Sequence, residues 1–414
     1  MVFLIILFVC LSGCDEEWMT DEPAATGSLA PDSTRNYDSV QLSTWYLDQA
    51  ERDYHSLAQY AGTFHQGLLG FLDNPDEPGL EQLRQLWLTA HRSYTATALH
   101  RYFLQRLAAT SSEAASIETR LNELHYRVNY WPILPGYLDY VYNYPDSGLI
   151  FDLSVPLSEN SLRSQHGVFD LSEVTTGFHV LEFLLWGTNN APGMLRSSAD
   201  FLAESELSTE QLTAGMQVAD LENNRRRELL RIVSQILLQD TNAISEIWLQ
   251  QRGDLERVLA GLGRDHVLLL LLDSQDELLT RELLTGSLYL LLNGDYVGGI
   301  QSPFSHSSQN SAVSYLASVE NLLRGTNGGA TEVAALYDAF YPEFSRTIFQ
   351  QLDSGRECLV VLYTTVEPSV DPAAQVRNEQ AVVECINLLS NTKNTFAIAR
   401  VSLALSMGAL NGVP

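Results

Sequence analysis

The chain has 414 residues, 45% of them hydrophobic, and carries 51 acidic against 24 basic side chains for a formal charge of -27. That length supports one large domain or two moderate ones with sizeable cores. A surface this acidic, with Lys393 as its sole lysine, repels phosphates and anionic headgroups, so nucleic acid and other polyanions are excluded as the main ligand while cations remain welcome.

Residues 1–13 form an apolar run that ends Leu11-Ser12-Gly13 immediately before Cys14. The run is shorter than the roughly 20 apolar residues a membrane-spanning helix needs. It reads as a bacterial lipoprotein signal peptide, although no Lys or Arg precedes it. Cleavage leaves Cys14 as the first residue, with acyl chains that tie the protein to a lipid bilayer. Residues 14–38, rich in Asp, Glu, Pro, Ser, Thr and Gly, form a flexible tether. The expected location is the periplasmic side of a bacterial membrane, and Asp15 after the lipidated cysteine favours the inner one if enterobacterial sorting habits apply.

From residue 39 onward the apolar spacing is helical. It predicts helices near 40–72, 79–108, 113–130, 172–187, 211–250, 254–272, 274–293, 310–325, 330–353 and 375–407. Punctuation agrees: Asp76-Glu-Pro-Gly79 separates two helices, Ser208-Thr-Glu-Gln211 precedes another, and Gly325 with Asn327-Gly-Gly329 ends a third. Only Leu359 to Thr365 has the look of a strand. The expectation is an all-α protein of two side-by-side helical bundles, 39–252 and 253–414. Trp131 to Glu173 is the irregular part, and long loops of this kind are often functional. Cys358 and Cys385 are the cysteines left after processing. In an oxidising compartment they are a candidate disulfide, and two buried free thiols fit equally well.

The most informative segment is Gly177-Phe-His-Val-Leu-Glu-Phe-Leu-Leu-Trp186. As a helix it is apolar all round and belongs in a core. His179 and Glu182, three apart, project from one face. A carboxylate buried there needs a cation to offset its desolvation. That cation is a metal ion, an arginine such as one of Arg225 to Arg227, or the protonated histidine. Two ligands at i and i+3 make only half a metal site, and no second half lies nearby in the sequence.

Gly177-x-His179-x-x-Glu182 followed by Phe-Leu-Leu-Trp-Gly187 resembles the signature of the imelysin-like family of lipid-anchored or periplasmic bacterial proteins. Trp87-Leu-Thr-Ala-His-Arg-Ser-Tyr94, Tyr130-Trp131-Pro132, Tyr137-Leu-Asp139-Tyr140, Asn224-Arg-Arg-Arg227 with Trp248, Ser302-Pro-Phe-Ser305 and Asn321-Leu-Leu-Arg-Gly325 resemble further family segments in the right order. The likeness covers about residues 40–408. It implies an imelysin-like fold of two bundles with an internal pseudo-repeat and a site where the halves meet. It also implies a link to bacterial iron uptake and metal binding, with peptidase activity credited to a few members.

Departures from the family pattern bear on the site. Ala98 and Leu134 stand where acids are usual, and His306, Ser307, Ser308, Gln309, Asn310 and Ser311 replace a later run of Asp and Thr-His. The expected metal set is therefore His179, Glu182 and Asp139, with iron or zinc as the ion. His91, His100 and His306 are substitutes that are more often ordinary helix-surface histidines. The function expected is a lipid-anchored periplasmic protein that binds a metal cation, iron foremost, and passes it to membrane iron-transport components. A zinc-dependent metallopeptidase and a scaffold with a degenerate site are the alternatives. No catalytic residue is assigned, because hydrolysis needs three protein ligands, an open position and a base.

Overall fold

A computed structural model describes residues 38–188, 194–325, 327–366 and 372–411. The signal, Cys14 and all of the tether except Asp38 lie outside the described residues. Helix α1, Ser39–Asp73, starts at Asp38, whose carboxylate accepts from the Gln41 amide at 2.8 Å while the Gln41 side chain takes the Asp38 N–H. This reciprocal cap satisfies two donors that a helix start leaves free. Asp76 opens α2, Glu77–Thr95, with a one-way cap, its carboxylate accepting from the Gly79 N–H, and Pro78 sits in the first turn where its missing N–H costs nothing. The continuous helix expected over 79–108 breaks there. The hydroxyls of Thr95 and Thr97 take the Arg92 and Tyr94 carbonyls, competing with the backbone ladder. The chain restarts as α3, Ala98–Ala108, followed by α4, Ser112–Asn129.

After α4 comes the long excursion, with only a 3-10 turn at Pro135–Tyr137 and the short α5, Glu159–Gln165, before α6, Phe178–Trp186. A five-residue α7, Thr209–Thr213, takes up the capping signal at Ser208. The long helix α8, Glu222–Leu262, begins later than expected and runs without interruption through Gly253. It stops at Gly263, whose φ of +80° favours glycine. Then follow α9, Arg264–Leu278, a π-helical stretch Leu279–Leu288, α10, Tyr289–Leu292, and α11, Tyr296–Gly299. The remaining helices are α12, Ser308–Leu323, α13, Glu332–Asp338, α14, Phe344–Thr365, and α15, Pro372–Asn411. The strand-like run Leu359 to Thr365 is thus the last two turns of α14.

Among the described residues the sole β features are two isolated bridges. The protein is all-α with a helical-bundle fold. α1 packs along α8 and α2, and α4 also packs on α8. α14 packs on α15 and α12, and α15 on α9. α3 against α9 and α2 against α12 join these groups, and one hydrophobic cluster runs through all of them. Cys358 and Cys385 are disulfide-bonded, with Cα atoms 5.6 Å apart, and couple α14 to α15. No described helix is long and apolar enough to cross a membrane.

Candidate site around His179 and Glu182

All nine residues of α6 are buried. The helix is set by its two glycines. Gly177 has φ +104°, and a Cβ on it would lie 2.6 Å from the Arg127 carbonyl oxygen and 2.7 Å from that of Val128. Only glycine lets α6 start pressed against the end of α4. At the other end Gly187 turns at φ +72°, and the Arg84 guanidinium donates to the Leu185 carbonyl at 3.0 Å. The cation thereby meets the negative end of the helix dipole. The Trp87 indole N–H donates to the Phe178 carbonyl at 3.0 Å.

On this short helix Glu182 is 0% and His179 2% exposed. His179 Nδ1 donates to Glu182 Oε2 at 2.8 Å. The other oxygen, Oε1, accepts from the Ser305 backbone N–H at 2.9 Å and its hydroxyl at 2.7 Å. Ser307 Oγ lies 2.7 Å from Ser305 Oγ and extends the chain. Three donors thus satisfy the buried carboxylate, as burial of a charge demands. No arginine does so: Arg225 donates to the carbonyls of Leu149, Ile150, Asp152 and Val155, Arg226 to Asp139 and Glu222, and Arg227 to the Phe201 carbonyl.

The loop that carries Ser305 passes through His306 in a left-handed conformation, φ +53°. Such strain in a non-glycine residue persists where surrounding contacts over-determine it. Here the neighbouring contacts are the two hydrogen bonds to Glu182. His306 itself is exposed.

The expected third ligand lies elsewhere. Asp139, 0% exposed, is held by Arg196 Nη2 at 2.6 Å and Arg226 Nε at 2.7 Å. Its carboxylate closes a buried ion pair that pins the irregular excursion to α8. The histidines held in reserve also have other work. His91 sits edge-on to His179, centroids 5.1 Å apart, stacks on Trp87 and reaches Asn129 Oδ1 at 2.9 Å. Burial, and then the neighbouring His179, hold its pKa well below the usual imidazole value. His100 bridges the Tyr46 hydroxyl and Asp53. Both are buried rather than on a helix surface, because α2 and α3 are covered on those faces. Ala98 and Leu134 supply no oxygen. Among the described residues no three His, Cys, Asp or Glu side chains converge as a metal-holding group.

Sequence reasoning missed Ser305 as the partner of Glu182. Its segment was recognisable, but a backbone N–H and a hydroxyl carry no ligand signature. It also missed Trp131, whose ring centroid lies 4.9 Å from that of His179 and which also lines a cavity of about 550 Å³. That cavity opens between α3, α4 and the π-helical stretch.

The Imelysin family model matches residues 50–395. Among solved structures, a protein from Parabacteroides distasonis described as an iron-regulated protein A precursor superposes with a TM-score of 0.61 at 12% identity, over 88% of this chain and 94% of that one. An imelysin-like protein from Psychrobacter arcticum gives 0.50 at 14% identity, over 84% and 92%. No curated protein matches the chain. With its family model spanning most of the sequence, the Gly-x-His-x-x-Glu helix buried in its core and the same fold in these neighbours, the chain belongs to the imelysin family.

Proposed function

We propose that this protein is a binding component of bacterial iron uptake, lipid-anchored through Cys14 on the periplasmic side of the membrane, and not a peptidase. The observation that carries the reading is that both Glu182 oxygens are engaged by protein donors, three in all. A carboxylate spent in this way orients the histidine; it neither coordinates metal nor activates water. Fixing Nδ1 as donor leaves Nε2 as the ring's basic nitrogen.

The side chains do not fit a resident metal cofactor, since Asp139 faces two guanidiniums and no three ligands converge among the described residues. Iron belongs to this reading as cargo. The protein offers one imidazole nitrogen at 2% exposure, so capture requires local opening of the core around His179, and the rest of the coordination shell comes from whatever chelates the ion in solution. An α6 buried on every side also lacks the cleft an extended peptide needs.

The test combines binding and proteolysis on the processed protein. Ferric citrate should bind the wild type and be lost in His179→Ala, while unfolded substrates with added zinc or iron stay uncut by both. Metal-dependent cleavage that disappears in His179→Ala would establish the hydrolase instead. Absence of both cleavage and iron binding would leave a scaffold that kept the fold. Cys14→Ser should move the protein from the membrane fraction to the soluble periplasm.

A further inference from the structure

The cavity beside Trp131 has about 550 Å³ of space, within the range of small-molecule sites. The charges on its wall are paired within the protein. Arg101 Nη2 meets Glu282 Oε1 at 3.0 Å, and the Tyr102 hydroxyl donates to the same oxygen at 2.6 Å. Arg281 is held by Glu277. His125 takes up the Tyr94 hydroxyl through Nδ1 at 3.1 Å. Burial, and next the Arg101 cation, keep its pKa well below the ordinary imidazole value, so the ring is neutral. Burial likewise raises the pKa of the Tyr94 and Tyr315 hydroxyls and keeps them protonated.

Hydrogen-bonding capacity on the same wall is unspent. Among the described residues no hydrogen bond uses the Gln301 amide, the Tyr130 and Tyr315 hydroxyls or His125 Nε2. Aromatic surface stands beside these groups: Trp131, with its indole N–H fixed on the Val297 carbonyl, and the edge-to-face pair Tyr126 and Tyr130 at 4.9 Å. One side of the cavity is the π-helical stretch, which brings in Arg281, Glu282 and Gly286. A Cβ on Gly286 would fall 2.2 Å from the Arg281 carbonyl oxygen, so this widened turn requires glycine. π-turns of this kind cluster at functional sites.

Elimination then narrows the ligand. A charged molecule would have to compete with the Arg101 and Glu282 pair, and parting a buried pair is costly. A long apolar molecule would strand the polar groups. Neutral hydroxyls on a ring with an apolar face match both the unspent donors and acceptors and the aromatic wall. We propose that this cavity is a binding site for a neutral saccharide of one or two rings. The site is independent of what His179 holds.

Saturation-transfer NMR on the full processed chain decides the question, with glucose, N-acetylglucosamine, cellobiose and trehalose as probes and glucuronate as the charged control. At least one neutral sugar should bind saturably and more tightly than glucuronate. Gln301→Leu, which keeps the volume and removes the amide, and Tyr130→Ala should each weaken that binding about tenfold or more, as loss of a hydrogen bond or a stacked ring implies. Gln301→Leu decides alone if Tyr130→Ala fails to fold. Saturable binding by none of the four sugars, tighter binding of glucuronate, or wild-type affinity in Gln301→Leu would overturn the proposal.

Discussion

At the scale of single residues, Glu182 is the most exacting position in the chain. It is a fully buried carboxylate whose donors come from one turn earlier on its own helix and from a loop 123 residues away. Glu182→Ala leaves His179 and the Ser305 donors without an acceptor. Each buried donor left unsatisfied costs about 1–3 kcal/mol, so the urea midpoint should fall sharply. Ser305→Ala removes the hydroxyl and keeps the backbone N–H, and the loss should be smaller, about 1–3 kcal/mol. Equal and negligible effects of both changes would show that the network contributes nothing to stability. Gly177→Ala tests the neighbouring backbone. Its positive φ and the 2.6 Å approach to the Arg127 carbonyl predict destabilisation by more than about 1 kcal/mol, read as a lower melting temperature.

At the scale of elements, α6 is short and gains its stability from burial rather than from its own propensity. Its ends are fixed by glycine turns and by Arg84, so α6 and α2 should lose protection from hydrogen exchange together when Arg84 is replaced. The α14 and α15 pair is stapled by Cys358 and Cys385 across 27 residues. Reduction, or the paired change Cys358→Ser and Cys385→Ser, should lower stability by about 2–4 kcal/mol. Unchanged melting with and without reductant would show that packing alone holds these two helices. α8 illustrates how an element end escapes sequence reading. Gly253 and Gly263 look alike as letters, but Gly253 sits on an exposed face with nothing crowding it, whereas Gly263 takes a positive φ. Only the latter stops the helix.

At the scale of the whole molecule, three imidazoles are held neutral by burial: His91 and His125 far below the usual value, and His166 at about 4. An unfolded chain protonates these groups near pH 6.5. Between that value and pH 4 the unfolded state therefore binds more protons than the native one, and stability falls as pH is lowered through the window. The urea midpoint should be highest at or above pH 7 and drop steadily toward pH 5. In His166→Gln the slope should be shallower. A midpoint that rises on acidification would contradict the burial of neutral imidazoles. The charge of -27 adds to this at the other end, since repulsion among carboxylates grows as salt is removed.

Apolar periodicity by itself determined the helical class, most helix positions and the burial of His179 and Glu182, because these depend on neighbours one turn away. Capping residues marked the starts at Asp76 and Ser208 for the same local reason. The motif and its companion segments carried the family. What the letters could not carry is which distant group answers each buried charge. Asp139 was available in sequence as a metal ligand, yet folding delivers Arg196 and Arg226 to it. Glu182 was open to metal, arginine or its own helix's histidine; His179 takes one oxygen, and a serine hydroxyl and backbone N–H that no sequence signal marked take the other. The cavity wall likewise draws on helices far apart in the chain. Pairing of this kind is decided by packing across the bundle, where the loss of water makes every unpaired charge costly and the nearest satisfied geometry wins.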